Sequence, residues 1–181
     1  GGGTGRYAGG GGGYTRTIKS IMTENNSSKA IVVGAGAIFD WTEARSGGES
    51  SAFGYKAAGG VGVGQSDKGG AGGSGGGAYG YNGSSEWGGN GGTDGANGGT
   101  SSANLAGGCG QRNCAGPNGE SGTTREFGES TGDLYAAGAP GGAGEGGKYG
   151  AFGTVTTIAN SGRGAIGGNA SAGIVIIRNH R

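Results

Sequence analysis

The only histidine, His180, stands one residue from the C-terminus, where chain ends fray, so a Ser, Cys or Lys nucleophile has no positioned imidazole base. It reads as an exposed terminal residue. Glu43, Asp94, Glu120, Glu126, Glu129 and Asp133 carry carboxylates, but no spacing singles out a pair for acid–base work, so solvated surface charge is the default. Cys109 and Cys114, in C-G-Q-R-N-C, are the only cysteines; their separation admits a small disulfide loop in an extracellular setting, with free thiols as the alternative. A zinc site would need two further ligands. The single Gly-Lys, Gly147-Lys148, is followed by Tyr149, not by the Ser or Thr of a phosphate loop, and G-x-G-x-x-G matches mean little among so many glycines. The expectation is a chain that is not an enzyme, with no cofactor and no metal.

The elements that would position any site must be built from unusual material. Of 181 residues 55 are Gly and only 31% belong to the hydrophobic set, so an ordinary oily core does not fit. High Gly argues for disorder, because Gly loses more backbone entropy on ordering than any other residue. Two Trp, seven Tyr and four Phe argue against it, since flexible Gly/Ser linkers are poor in aromatics. Thirteen basic residues against twelve acidic ones, without a basic run, leave no nucleic-acid footprint. No stretch approaches the ~20 apolar residues of a membrane span, so no membrane insertion is expected. Residue 1 opens directly into Gly-Gly-Gly, and the chain is expected to be a processed form or part of a longer one.

The glycines fall in threes. Gly138, Gly141, Gly144, Gly147, Gly150 and Gly153 form an unbroken series; Gly77, Gly80, Gly83, Gly89, Gly92, Gly95 and Gly98 form another, interrupted at Glu86. Gly69, Gly72 and Gly75 add a short run, and Gly107 to Gly128 keeps the phase with misses at Asn113 and Arg125. Three is the period of polyproline II geometry, not the 3.6 of an α-helix or the 2 of a strand. Such helices have no internal hydrogen bonds, and with Gly along one edge they can approach until amides of one bond carbonyls of the next. Collagen is the rival for period-3 Gly, but it needs long G-X-Y repeats rich in Pro and only Pro117 and Pro140 exist. Short, broken runs suit antiparallel segments of one chain folded side by side. The series from Gly138 to Gly153 would extend about 50 Å at 3.1 Å per residue.

The aliphatics concentrate toward the ends. Tyr14 to Ile21 alternates as a strand does, Glu24-Asn-Asn-Ser-Ser signals a turn, and Lys29 to Val33 can pair back, so a β-hairpin is expected over 14–33. Gly173-Ile-Val-Ile-Ile-Arg reads as a buried-type closing strand and Gly153 to Ala159 as another, giving terminal strands within 154–181. The fold class expected is therefore irregular and all-β-like. It is a single glycine-rich domain over 1–181: a bundle of polyglycine II helices at about 47–153, joined to a small β-sheet or hairpin of the N-terminal and C-terminal segments, with essentially no α-helix.

These residues also resemble a known family. The order G-G-G-G-G-Y-T at Gly9 to Thr15, I-V-V-G-A-G at Ile31 to Gly36, S-S-A-F-G-Y-K-A-A-G-G at Ser50 to Gly60, and A-G-I-V-I-I-R at Ala172 to Arg178 is similar to that of the glycine-rich domains of phage tail proteins and bacterial surface proteins. The similarity spans nearly the whole chain, and the last motif is its most specific part. In that family an opening strand precedes the first Gly run; this chain departs from the pattern, and its sheet is expected to be short of a strand. By composition alone the chain looks like the tail-fibre tip adhesins of T-even-like phages, where loops on a Gly-rich sandwich touch the host, and like snow-flea-type antifreeze proteins.

Bulky residues appear where the glycine series breaks. Phe39, Trp41, Tyr79, Tyr81, Trp87, Leu105, Arg112, Arg125, Phe127 and Tyr135 are the candidate contacts with a receptor or partner subunit, because exposed aromatics and Arg carry recognition energy on rigid scaffolds. The alternative is that they cover bundle edges. Asn25, Asn26, Asn82 and Asn169 match the glycosylation acceptor pattern, which in a bacterial or phage protein is incidental. Two function classes remain. One is a non-enzymatic extracellular module, a phage tail-fibre or tail-tip adhesin that binds a bacterial surface protein or glycan, within a larger fibre or homo-oligomer. The other is a structural subunit of a glycine-rich fibre or surface appendage. Aromatics gathered at one pole would favour the first, and aromatics spread along the sides the second.

Overall fold

Where successive residues are glycine, no side chain is available to bury, and only amides and carbonyls can hold neighbouring segments together. The computed structural model describes residues 1–24, 27–65, 68–77, 89, 124–129, 131, 133–139 and 161–179. At its centre runs the stretch Gly9–Gly13. Gly9 donates to the carbonyl of Gly77, Gly10 to Ala165 and Gly11 to Val61; Gly12 then donates to Ser74, Gly13 to Gly162 and Tyr14 to Ala58, all at 2.6–3.0 Å. Each amide thus points to a different neighbour, and the same three neighbours return every third residue in antiparallel register.

The carbonyls of the central stretch continue the rule. Those of Gly9 and Gly12 accept from Gly70 and Gly73, that of Gly10 from Ala139, and that of Gly11 from Gly3. Three acceptor segments and three donor segments therefore surround one glycine run. The outer segments are tied to each other in the same step: Gly60 and Val63 donate to Gly1 and Thr4 in parallel, and Ala170 and Gly173 donate to Ala37 and Gly34 in antiparallel register.

This core is made of backbone, and the side chains it encloses are small. Among the described residues, Ala8, Ala37, Ala136, Ala137, Ala139 and Ile166 are the buried apolar ones, and Thr4 and Ser74 are the largest side chains that are fully enclosed. Gly10, Gly11 and Gly12 show why glycine is required at consecutive positions. A Cβ on each would overlap a carbonyl oxygen, of Gly3, Ala71 and Ala136 in turn, on three different neighbours.

Regular ladders are short, and no α-helix occurs among the described residues. The strands are β1 (Thr4–Gly5), β2 (Ile31–Val32), β3 (Ser50–Ala52), β4 (Tyr55–Ala57), β5 (Thr124–Arg125), β6 (Leu134–Tyr135) and β7 (Ala165–Ile166), with a 3₁₀ turn at Glu126–Gly128. β1 pairs with β7 in parallel, β2, β3 and β4 form an antiparallel sheet in that order, and β5 pairs with β6 antiparallel. Phe53 and Gly54, at φ 52 and 81, form the two-residue turn between β3 and β4, which places the turn in the left-handed region that hairpins favour.

The sheet partners differ from those expected. Ile31–Val32 pairs with Ser50–Ala52 instead of folding back on Tyr14–Ile21, which carries no strand. Ser20, at φ 60, interrupts the extended course of that stretch. Residues 173–178 likewise form no ladder among the described residues, although Gly173 donates to Gly34 beside β2. The N-terminal and C-terminal regions do meet in a sheet, through β1 and β7. The expected strand over 153–159 and most of the period-3 series beyond Gly77 lie outside the described residues.

Candidate functional site

The hydrogen-bond register gives the bundle two ends. Residues 5–9 turn at one, where Gly5 bridges Val63, and Tyr14 leaves the central stretch at the other, beside Ala58 and Gly162. Aromatic and charged side chains that the glycine core cannot accept collect at both.

At the Arg6 end, the chain leaves the lattice after Ala37 and returns at Arg45, whose carbonyl accepts from Thr4. The loop between them is tied down at several points. Asp40 Oδ1 accepts from the Thr42 amide at 2.8 Å, the Thr42 hydroxyl at 2.7 Å and the Glu43 amide at 3.2 Å. Arg45 reaches Asp40 Oδ2 at 3.2 Å and Glu43 at 2.8 Å. Bonds to the Thr42 amide and hydroxyl, with Arg45 and the Glu43 amide adding to them, hold the Asp40 carboxyl far below its ordinary range. The Phe39 amide donates to Asn169 Oδ1 at 2.8 Å, which fastens the loop to the C-terminal part of the chain.

The aromatics of this loop are stacked with residues of the first turn. Phe39 and Trp41 meet edge to face at 5.0 Å between centroids. The Arg6 guanidinium lies 4.7 Å from the Tyr7 ring centroid and 5.6 Å from that of Trp41. Trp41 is nevertheless 57% exposed and Ile38 75%. The loop borders an open pocket of about 430 Å³ lined by residues 35–40, Arg45, Ser46 and Gly48, with neither Arg6 nor Trp41 on its wall.

At the Tyr14 end, an open groove of about 830 Å³ runs between 14–23, the β3–β4 hairpin, Phe127 and 173–179. Ile21, Ile174 and Ile177, which line it, are exposed. Arg178 lies 4.3 Å from the centroid of Phe127 and pairs with Glu126 at 3.6 Å and with Glu129. Arg16 lies 5.1 Å from the Tyr55 centroid. Burial raises the Tyr135 phenol above its usual value, helped by Glu126 and Asp133.

The structure thus divides the sequence-predicted contacts. Phe39 and Trp41 stand together at the Arg6 end, and Phe127 and Tyr135 line the groove at the other; the main chain of Arg125 pairs in β5. Tyr79, Tyr81, Trp87, Leu105, Arg112, Cys109 and Cys114 lie outside the described residues. Among the carboxylates weighed for acid–base work, Glu43 answers Arg45, while Glu126 and Glu129 answer Arg178. Arg6, Tyr7, Asp40 and Arg45 were not singled out by sequence. Arg6-Tyr7 breaks the first glycine run, so the signal that marks Trp41 was present there too.

No family model, curated protein or solved structure matches the chain.

Proposed function

We propose that the chain is a non-enzymatic extracellular recognition module in which packed polyglycine II helices form a rigid scaffold and the Arg6 end makes the contact. The threefold return of hydrogen-bond partners along Gly9–Tyr14, with six segments around one run, supports the scaffold half of this reading, because three residues per turn is the polyglycine II period. The observation that carries the contact half is Trp41: it is 57% exposed, yet its loop is pinned through Asp40, Phe39 and Arg6. A rigid, exposed aromatic loses little entropy on binding.

The resemblance to phage tail and bacterial surface glycine-rich domains sets the context. In it, the chain is a tail-fibre or tail-tip adhesin whose partner is a bacterial surface protein or glycan. A second reading, a structural subunit of an extracellular glycine-rich fibre, is favoured by the groove at the Tyr14 end and the exposed Ile174 and Ile177 beside it. The test is saturable binding of the purified chain to susceptible bacterial cells. Binding without self-assembly supports the adhesin; filaments without binding support the fibre subunit.

A further inference from the structure

No carboxylate among the described residues reaches the Arg6 guanidinium, whereas Arg45, Lys56 and Arg178 each reach an acidic side chain. Its Nε is buried without a hydrogen-bond partner, and its Nη1 makes only a long 3.5 Å contact with the Trp41 carbonyl. The Tyr7 and Trp41 rings both lie against the guanidinium, which restrains it before any ligand arrives. A guanidinium restrained in this way presents its Nη donors to an anion, and these match the two oxygens of a carboxylate or phosphate.

Two further features give the anion a sugar to ride on. Trp41 offers an open indole beside the guanidinium, and aromatic rings receive the C–H face of a pyranose. Phe39, edge-on to Trp41 at 5.0 Å between centroids, extends the apolar surface beside that ring. We infer that the Arg6–Trp41 face binds an acidic saccharide, its carboxylate or phosphate on Arg6 and its ring against Trp41. This rests on the recognition reading and narrows it to a ligand class.

The experiment is calorimetric titration of the full chain with tetragalacturonate, with a phosphorylated dextran and with neutral galactotetraose. The expected result is that an acidic probe binds, binds more weakly as salt rises, and binds at least tenfold tighter than the neutral one. The two acidic arms tell carboxylate from phosphate. Arg6→Gln is expected to lose that margin; Arg6→Lys, which keeps charge and stem but not the fork, loses most of it. Arg16→Gln, which removes the same charge at the opposite end, leaves binding unchanged. Equal affinity for the neutral probe, or an unaltered Arg6→Gln, overturns the inference. If the chain binds cells but neither acidic probe competes, the acidic-saccharide assignment fails and the recognition reading stands. If it binds no cells, the recognition reading itself fails.

Discussion

Gly12 and Ala136 meet backbone against backbone, so closely that a Cβ on Gly12 would overlap the Ala136 carbonyl oxygen. The obstructing atom belongs to the main chain of a packed neighbour and cannot swing aside. Gly12→Ala is therefore expected to cost about 3 kcal/mol or more. Gly54 stands in open space but at φ 81, so Gly54→Ala costs only the left-handed strain, about 1–2 kcal/mol. Gly168 has open space and no such strain, and Gly168→Ala is expected to be neutral within about 0.5 kcal/mol. Urea unfolding of the three variants checks the order; equal effects would contradict a close-packed backbone core.

Asp40 organises the loop between Ala37 and Arg45 by accepting bonds that only its ionised form accepts fully. Its folded-state pKa is depressed, so its contribution is present above the ordinary Asp value, about 3.9, and is lost as pH falls below it. In a Trp87→Phe background, Trp41 emission is expected to hold constant from pH 7 to about 4 and to shift below that. Asp40→Ala is expected to show the shifted emission already at pH 7. A transition above pH 5 in the parent chain would contradict this role.

Arg163 offers a test in the other direction. Its guanidinium is half-buried, its Nε has no partner, and burial lowers its pKa. Nothing in its described surroundings repays the desolvation. Arg163→Met, which keeps the stem, is expected to leave the thermal midpoint unchanged or to raise it. A clear drop would show that the charge has a stabilising partner.

The sequence pattern pointed to a non-helical, β-like chain without showing which glycines its neighbours bond. Period-3 glycines are visible only where other residues separate them; in Gly9–Gly13 every position is Gly, so the run that sits at the centre shows no period at all. Alternation over Tyr14–Ile21 suggested a strand but could not name its partner, and β2 pairs instead with β3. Of the loop between Ala37 and Arg45, Phe39 and Trp41 were legible as bulky interruptions. Asp40 and Arg45 were not, because their roles depend on where the loop leaves and rejoins the lattice.

The groove at the Tyr14 end makes a separate prediction. Arg178 is fixed there by Phe127 and by two glutamates, so Arg178→Gln is expected to release the 126–129 turn with little effect on the bundle. Faster amide exchange confined to that turn and to 173–179 is the expected readout. Exchange that spreads to Gly9–Gly13 would contradict the independence of the ends.

Cell binding of two single-site variants shows whether the proposed contact lies at the Arg6 end. Trp41→Ala is expected to weaken saturable binding to susceptible cells at least tenfold, while Phe127→Ala, at the opposite end, leaves it unchanged. Retained binding in Trp41→Ala with loss in Phe127→Ala would place the contact at the groove and contradict the account.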